Sequence, residues 1–456
     1  MSTGKPAHIL VLGGGFGGLH AALELQKAIP GGSLRLTVVN RENFFLFTPM
    51  LHEVAASDLD ITHIVNPIRK LLRQGVFMAG EVRAIDLARR QVTVVHGRDG
   101  HGHELPYDHL VVALGSVTNF FGIPGLREHA LTMKTLGDAL ALRNHVIERL
   151  EEADTECAGA RREELLTFTV AGGGFAGVET AAAMNDFILE ALPHYPRIPR
   201  SALRVMLVEA GKHILPELGP GLGGYARRHL ARRGVDIRLE TRVTGVTGAG
   251  VSLSDGSLWP SQTLVWTAGA TPSPLVAALP CDKERGRLVV DEYLRVPGYD
   301  NLWALGDCAA VPDAGTGLAC PPTAQHALRQ GRVLAANLVA TLSGRPLRPF
   351  RFRTLGQLAA IGRRTGVAKV MGVMLSGFPA WWLWRTIYLS KLPRFEKKVR
   401  VALDWTLDLL FSKDLVQFLT LRSGGIGEET GPRPVPVGSA AAQREPAAAA
   451  TRQVVS

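Results

Sequence analysis

Residues 8–19, HILVLGGGFGGL, and residues 168–180, FTVAGGGFAGVET, decide the fold. In each, a short apolar run ends in a glycine cluster and an apolar pattern of helical spacing follows, which reads as strand, turn, helix. The glycines fall in G-x-G-x-x-G spacing: Gly13, Gly15 and Gly18 in the first, Gly172, Gly174 and Gly177 in the second. The first glycine permits the tight turn, the second lets backbone approach a pyrophosphate, and the third lets the helix pack against the strand. The helix then presents free N–H groups and the positive end of its dipole to the phosphates. One such match is weak, because glycine turns also serve packing alone. Two in the same context, with Gly13 and Gly172 standing 159 residues apart, indicate a duplicated dinucleotide-binding unit rather than a short-period repeat.

Each unit has a second strand, LRLTVVN (34–40) and LRVMLVEA (203–210). The second ends on Glu209. A carboxylate there can accept hydrogen bonds from both ribose hydroxyls and would repel a 2′-phosphate, favouring NADH over NADPH; the plainer alternative is a solvated strand-end acid. The first ends on Asn40, followed by Arg41. Asparagine can bind ribose hydroxyls without charge, so this site fits a dinucleotide but specifies it less. Two dinucleotide sites in one chain imply electron passage between two cofactors, and a flavin beside a nicotinamide is the economical pairing.

Composition narrows the classes. At about 100–200 residues per domain, 456 residues suggest two to four domains. Four cysteines (157, 281, 308, 320) are too few for a disulfide scaffold, and none forms a C-x-x-C pair, so no metal site is expected. A dithiol–disulfide reductase needs a C-x4-C pair just after the first glycine turn, and no cysteine precedes 157. The net charge of +10 favours anionic partners. Aromatics are not interleaved with the basic residues, so a nucleic-acid module is not expected. MSTGKPAHILVLGGG runs almost at once into a strand and is not read as a signal peptide.

Between these landmarks, 76–99 and 107–114 read as strands, 136–165 as one long surface helix, 220–234 as a helix and 235–267 as short strands. LWALGDCA (302–309) is a further strand and turn entering a helix near 321–342. Residues 345–425 are rich in Trp, Leu and basic residues, and the tail beyond lacks periodicity and is expected to be disordered. The uncharged stretch 370–384 is broken by Gly372, Gly377 and Pro379 and falls short of the ~20 apolar residues of a membrane span. KLPRFEKKVR (391–400) is strongly basic, and VALDWTLDLLF (401–411) carries an apolar helical stripe. That combination suits an interfacial helix on anionic lipid. It also suits packing into a core or dimer interface, and composition leaves both open. Lys391 is a candidate proton shuttle, or a lysine that snorkels to the surface.

NLWALGDCA (301–309) resembles the second FAD motif of two-dinucleotide-fold flavoproteins, and VWTAGATPSPL (265–275) resembles the segment that returns the chain from the NAD domain. Together with these, NFFLFTPMLHEVA (43–55), FTVAGGGFAGVET (168–180), PPTAQHALRQG (321–331) and LAAIGRRTGVAKVMGVMLSGFPAWWLWRTIYL (358–389) resemble the type II NADH dehydrogenases, single-chain NADH:quinone oxidoreductases, over roughly residues 7–420. The resemblance implies an α/β fold with two Rossmann-like dinucleotide-binding domains and a C-terminal membrane-associating region. The implied parts are an FAD-binding domain in two pieces (1–120 and 271–344), a helical connection (121–165), an NADH-binding domain (166–270), a quinone- and membrane-associating region (345–425) and a tail (426–456). It implies that NADH reduces FAD, NAD leaves, and two electrons pass to a membrane quinone with no proton pumped. Gly13, Gly15, Gly18, Asn40, Arg41 and Asp307 would serve FAD, Asp307 through the ribityl chain. Gly172, Gly174, Gly177 and Glu209 would serve NADH. Ala324 and Gln325 belong to the segment at the flavin ring and quinone pocket. Glu179 matches the glutamate close to where nicotinamide meets flavin; alternatively it is a first-turn acid that complements the helix dipole. The resemblance also implies a homodimer, peripheral on the cytoplasmic face of the membrane.

Two departures stand out. AQHALRQ places Arg329 where glutamine is usual, and an arginine there can stabilise an anionic reduced flavin or quinone, or contact a phosphate. ALG (113–115) replaces the usual ATG. Among rival readings, a sulfide:quinone oxidoreductase needs two cysteines flanking the flavin. Cys157 lies in a charged segment (EEADTECAGARREE), Cys308 lies in a small-residue turn, and Glu209 argues for NADH instead. A reductase with a protein acceptor accommodates Arg329 but not the Trp-rich C-terminal region. A redox-sensing binding protein of the same fold would not need the quinone segment.

Overall fold

A computed structural model describes residues 5–32, 34–97, 99–408 and 410–417. The chain opens with β1 (Ala7–Leu12), the first glycine turn, α1 (Phe16–Leu25) and β2 (Leu34–Asn40). Next come α2 (Leu51–Ala55) and β3 (Val76–Ala79). β4 (Glu81–Asp86), β5 (Gln91–His96) and β6 (His101–Pro106) make a small antiparallel sheet. β7 (His109–Val112), β8 (Ser116–Thr118), β9 (Ala130–Thr132), α3 (Leu136–Thr155) and α4 (Gly159–Leu166) lead to the second unit. That unit runs β10 (Thr167–Ala171), α5 (Phe175–Ala191), β11 (Arg204–Val208), α6 (Pro220–Arg232), β12 (Val235–Arg238), β13 (Thr263–Trp266) and β14 (Ala270–Pro272). β15 (Leu302–Ala304) and α7 (Ala324–Leu342) follow, then β16 (Gly356–Ala360), β17 (Gly366–Val370), β18 (Val373–Gly377), α8 (Phe378–Lys391) and α9 (Phe395–Leu407).

Two five-stranded parallel sheets dominate. The first has the order β15-β7-β1-β2-β3, with Leu10 paired to Thr37 on one side and Leu110 on the other. The second has the order β9-β13-β10-β11-β12. Their central strands are buried at nearly every position, as expected of parallel strands covered on both faces. In each sheet the order reverses beside the strand that carries the glycine turn, which opens the crevice where such sheets bind ligands. β15 returns to the first sheet after the whole second unit, and β8 pairs antiparallel with β14 where the chain passes out and back.

Some local expectations change. The helix expected over 136–165 is two, α3 and α4, parted at Glu156–Ala158, where the backbone turns extended. The connection 121–165 also supplies β9 to the edge of the second sheet. At the C-terminal end the helix begins at Phe395, so the basic residues 397–400 lie inside it rather than before it, and it stops at Leu407. The tail 426–456 lies outside the described residues.

Candidate functional site

The two glycine turns share one construction. Gly13 has φ +106 and Gly172 φ +114, values that a side chain would strain. A Cβ at Gly18 would run into the carbonyl oxygen of Gly13, and one at Gly177 into that of Gly172. Gly15 and Gly174, in contrast, face open space: a Cβ there meets no atom within 4 Å. Each is the extended N-cap of its helix, with no side chain capping the first amides and no acid in the first turn. Open space before uncapped amides is what a pyrophosphate requires.

The strand-end residues brace these turns. Asn40 Oδ1 accepts a hydrogen bond from the Gly14 amide at 2.7 Å, and its Nδ2 donates to Glu42 O at 2.7 Å. Glu209 Oε2 accepts from the Gly173 amide, and Oε1 from the Gly211 amide at 2.5 Å. Arg41 points to solvent beside Glu42. Both strand-end side chains therefore sit at the mouths of the turns they were assigned to, and both also do structural work on the backbone.

Asp307 reaches the first site because α1 and α7 touch backbone to backbone: a Cβ at Gly331 would fall 2.4 Å from Gly17 O. Ser116 Oγ donates to Asp307 Oδ2 at 2.9 Å, and Lys134 Nζ donates to Ser116 Oγ at 2.7 Å. Burial lowers the Lys134 ammonium, while Asp307 pulls the other way. Gln330 Oε1 accepts from the Gly306 amide at 2.9 Å and fixes the turn that holds Asp307. The open space at Gly15 before the uncapped amides of α1, with the Asp307 carboxyl held on the turn that packs beside it, fits the pyrophosphate and hydroxyls of FAD.

Ala324 is the first residue of α7. Gln325 Nε2 donates to Gly356 O at 3.3 Å, at the start of β16, and Glu179 Oε1 accepts from the Ala360 amide at 3.1 Å, at its end. Both residues thus grip the first strand of the C-terminal sheet. Arg329 Nη1 donates to Gln325 O at 2.9 Å, and its guanidinium lies 4.0 Å from the Phe352 ring centroid. Arg329 is near enough to help lower the Lys391 ammonium, although burial is the larger cause.

Glu179 is not a first-turn acid. It sits five residues into α5, 8% exposed, and the first turn carries no acid, so dipole complementation does not explain it. Burial pushes its carboxyl up to about 8. His52 Nδ1 lies 3.8 Å from Glu179 Oε2, and burial drives that imidazole down to about 3. At neutral pH the two are therefore a protonated acid beside a neutral imidazole, too far apart for a hydrogen bond. His52 Nε2 is buried with no hydrogen-bond partner among the described residues. An aromatic row runs to this point from the first turn: Phe16–Phe47 (5.8 Å between centroids), Phe47–Tyr388 (6.1 Å), Tyr388–Trp384 (4.8 Å) and Trp384–His52 (5.6 Å).

From Glu179 a polar cleft continues past Glu53, Asp58 and Lys413. Burial pushes Glu53 up to about 8 and Asp58 to about 6, the latter despite its ion pair with Lys413 Nζ at 2.6 Å. Arg385 is clasped between Trp381 and Trp405, 4.2 and 4.6 Å from their centroids. His63 pairs with Asp404, and Lys397 Nζ donates to Thr62 O. The C-terminal helices thereby lock onto residues 52–63, joining two of the distinctive sequence segments. His52, Glu53, Lys134 and Gln330 went unassigned at the sequence level. The visible signal was an adjacent His-Glu pair inside the apolar run MLHEVAA (50–56).

All four cysteines are free. Cys157 is exposed between α3 and α4. Cys308 is buried, with its thiol pushed up to about 11, and donates to Leu305 O.

Residues 7–331 match the family model described as pyridine nucleotide-disulphide oxidoreductase, and residues 355–414 the one described as NDH2 C-terminal domain. The chain is 34% identical over 422 residues to the type II NADH:quinone oxidoreductase of Mycobacterium tuberculosis, covering 89% of this chain and 88% of that one. It is 34% identical over 414 residues to the demethylphylloquinone reductase of Synechocystis, covering 89% and 96%. In fold it is similar to the NDH2 of Plasmodium falciparum solved in complex with NADH, with a TM-score of 0.83 at 20% identity, covering 90% of this chain and 99% of that one.

Proposed function

The chain belongs to the pyridine nucleotide-disulphide oxidoreductase family and, with its NDH2 C-terminal domain, to the type II NADH dehydrogenases; on that footing we propose that it is an FAD-dependent NADH:quinone oxidoreductase that pumps no protons. The observation that carries the reading is Glu179, a buried carboxyl that keeps its proton at neutral pH. It stands on the helix of the second glycine turn and against the C-terminal strand β16.

FAD, when bound, accepts a hydride and releases electrons singly or in pairs. Gly13, Gly15, Gly18, Asn40, Arg41, Asp307, Ala324 and Gln325 hold it, the open amides of α1 taking the pyrophosphate. Gly172, Gly174, Gly177 and Glu209 hold NADH, and the Glu209 carboxylate disfavours a 2′-phosphate. Reducing a quinone to a quinol consumes two protons. Glu179 stores one at the site, and the cleft past Glu53 and Asp58 offers groups that titrate near neutrality to replace it. Arg329 and Lys391 add positive charge on the acceptor side, where a reduced quinone carries negative charge before protonation.

The acceptor is in the membrane, and α9 is built to meet it. Val401 and Trp405 face the protein, whereas Phe395, Val399, Leu403 and Leu407, spaced every fourth residue, are exposed on the opposite face. Met371, Met374 and Trp382 are exposed as well. Among the described residues no helix is long and apolar enough to cross a membrane. An apolar ridge beside Arg394, Lys398 and Arg400 favours interfacial seating on anionic lipid. The protein works at the cytoplasmic face, as a homodimer.

The test is to purify the protein with its flavin and follow NADH oxidation with and without a short-chain quinone. Strong acceleration by quinone, with NADPH a poor donor, is the expected result. Flavin bleached by NADH but reoxidised by no quinone would replace the quinone with a protein acceptor. Bleaching by sulfide and not by NADH would move the chemistry to the cysteines.

A further inference from the structure

The antiparallel pair β5–β6 carries three histidines on one face. His96 stands directly opposite His101 across the ladder, and His103 follows two residues along, on the same side of the pleat. The three rings have closed on one another. His96 is stacked on His103 with centroids 4.8 Å apart, and His101 stands edge-on to both. His96 Nε2 lies 2.7 Å from His103 Nε2, and one ring nitrogen of each histidine lies within 4.8 Å of the others. His96 and His101 are exposed, and His103 is half-buried.

We propose that His96, His101 and His103 form a binding site for one divalent transition-metal ion of the imidazole-preferring class, Zn2+ foremost. Two ring nitrogens facing each other this closely must share one proton or one cation, and the third imidazole has no need to join a proton-shared pair. A tetrahedral ion with Zn–N bonds near 2.0–2.1 Å holds its nitrogens about 3.3 Å apart. The present spacings bracket that value, and side chains on a solvent-facing hairpin reach it by small rotations. Two histidines at i and i+2 on one strand and a third on its neighbour supply three ligands and leave the fourth position to water. Imidazole selects Zn2+, Ni2+ or Cu2+, whereas Ca2+ and Mg2+ require oxygen donors, and the cluster contains none.

The site lies apart from the proposed electron path but not from the fold that supports it. The Gly80 amide donates to Asn40 O at 3.0 Å, and a Cβ at Gly80 would press on Val94 and lie 3.7 Å from His96 Cβ. An ion that staples the turn end of β5–β6 therefore stiffens a sheet packed against the strand end that braces the first glycine turn. Its effect is stabilisation, through preferential binding to the folded state.

The experiment uses the untagged, flavin-loaded full chain, stripped of metal by chelator and then dialysed against Zn2+, Co2+ or Mg2+ alone. One equivalent of Zn2+ or Co2+ per chain is expected, with a raised melting temperature and with the intense visible absorption of low-coordinate Co2+; Mg2+ should give none of these. Losing an outer partner of a metal ligand costs about 10–100-fold in affinity, so losing a ligand costs at least about tenfold. His96→Ala should weaken binding by that factor, and the double variant His101→Ala/His103→Ala should abolish both binding and the melting shift. Flavin content and NADH oxidation in these variants should match the unaltered protein, because no other assigned residue is touched. Absence of stoichiometric binding, or binding that survives the double variant, overturns the proposal.

Discussion

The carboxyl of Glu53 accepts a hydrogen bond at 3.0 Å from the indole Nε1 of Trp405, a residue 352 positions further along the chain. Neither this bond nor the nearby Arg385 offsets burial, which raises Glu53 from its ordinary 4.5 to about 8. The folded state therefore holds a proton that the unfolded chain releases above 4.5. That contribution to stability is whole below 4.5 and is lost as pH rises through about 8. Glu53→Gln removes the dependence while keeping a hydrogen-bond acceptor. Its melting temperature relative to the unaltered protein should rise between pH 5 and 8 and level off above. A difference independent of pH would contradict the assignment.

Glu179 should appear in the kinetics. Held near 8, it is protonated at neutral pH and can give its proton to a reduced acceptor. Quinone-dependent turnover should fall as pH rises through about 8. Glu179→Gln should slow turnover and erase that limb, while flavin reduction by NADH, measured in single turnovers, keeps its pH dependence. Glu53 helps to raise Glu179, so Glu53→Gln should move the limb to lower pH.

The NADH site makes a different forecast. Charged hydrogen bonds contribute about 1.5–3 kcal/mol, and Glu209 spends its carboxylate on Gly173, Gly211 and the proposed ribose contact. Glu209→Ala should raise KM for NADH by about tenfold or more at nearly unchanged kcat and narrow the preference over NADPH. Steady-state assays with both donors decide this; an unchanged KM would leave Glu209 as a brace for the turn alone.

The proposed membrane seating depends on the exposed apolar ridge of α9. Phe395 and Leu403 are 79% and 56% exposed. Burying such a side chain in an apolar medium stabilises by about 1.5–3 kcal/mol. Phe395→Asp combined with Leu403→Asp should lower partitioning onto anionic vesicles by about a hundredfold or more, with solution NADH oxidation retained. Sedimentation with vesicles measures it, and raised salt should weaken the unaltered protein's binding as well.

The sequence by itself determined the features that depend on neighbours along the chain. A glycine turn is a local event: Gly13 and Gly172 need positive φ, and Gly18 and Gly177 need a bare Cα, whatever the remainder of the fold does. The apolar run, glycine cluster and helical pattern at 8–19 and 168–180 forecast the strand–turn–helix units that both sheets are built around. The same locality made Asn40 and Glu209 legible, since each ends the strand next to its turn. For α9, composition left lipid and core packing open; the helix packs one apolar face inward through Trp405 and leaves a second, carrying Leu403, exposed.

Only the tertiary structure decided which distant side chains meet. The resemblance singled out Glu179, but its protonation was not legible: burial, beside His52 and the Ala360 amide, makes it an acid that keeps its proton. Trp405 found Glu53, Lys413 found Asp58, and Gln330 fixed the turn of Asp307, none at a spacing that a periodic pattern encodes. His96, His101 and His103 stand close in sequence, yet their shared face depends on the β5–β6 register, which a one-residue slip would reverse. Desolvation and charge act through space, and the order of residues along the chain carries no distance between them until the chain has folded.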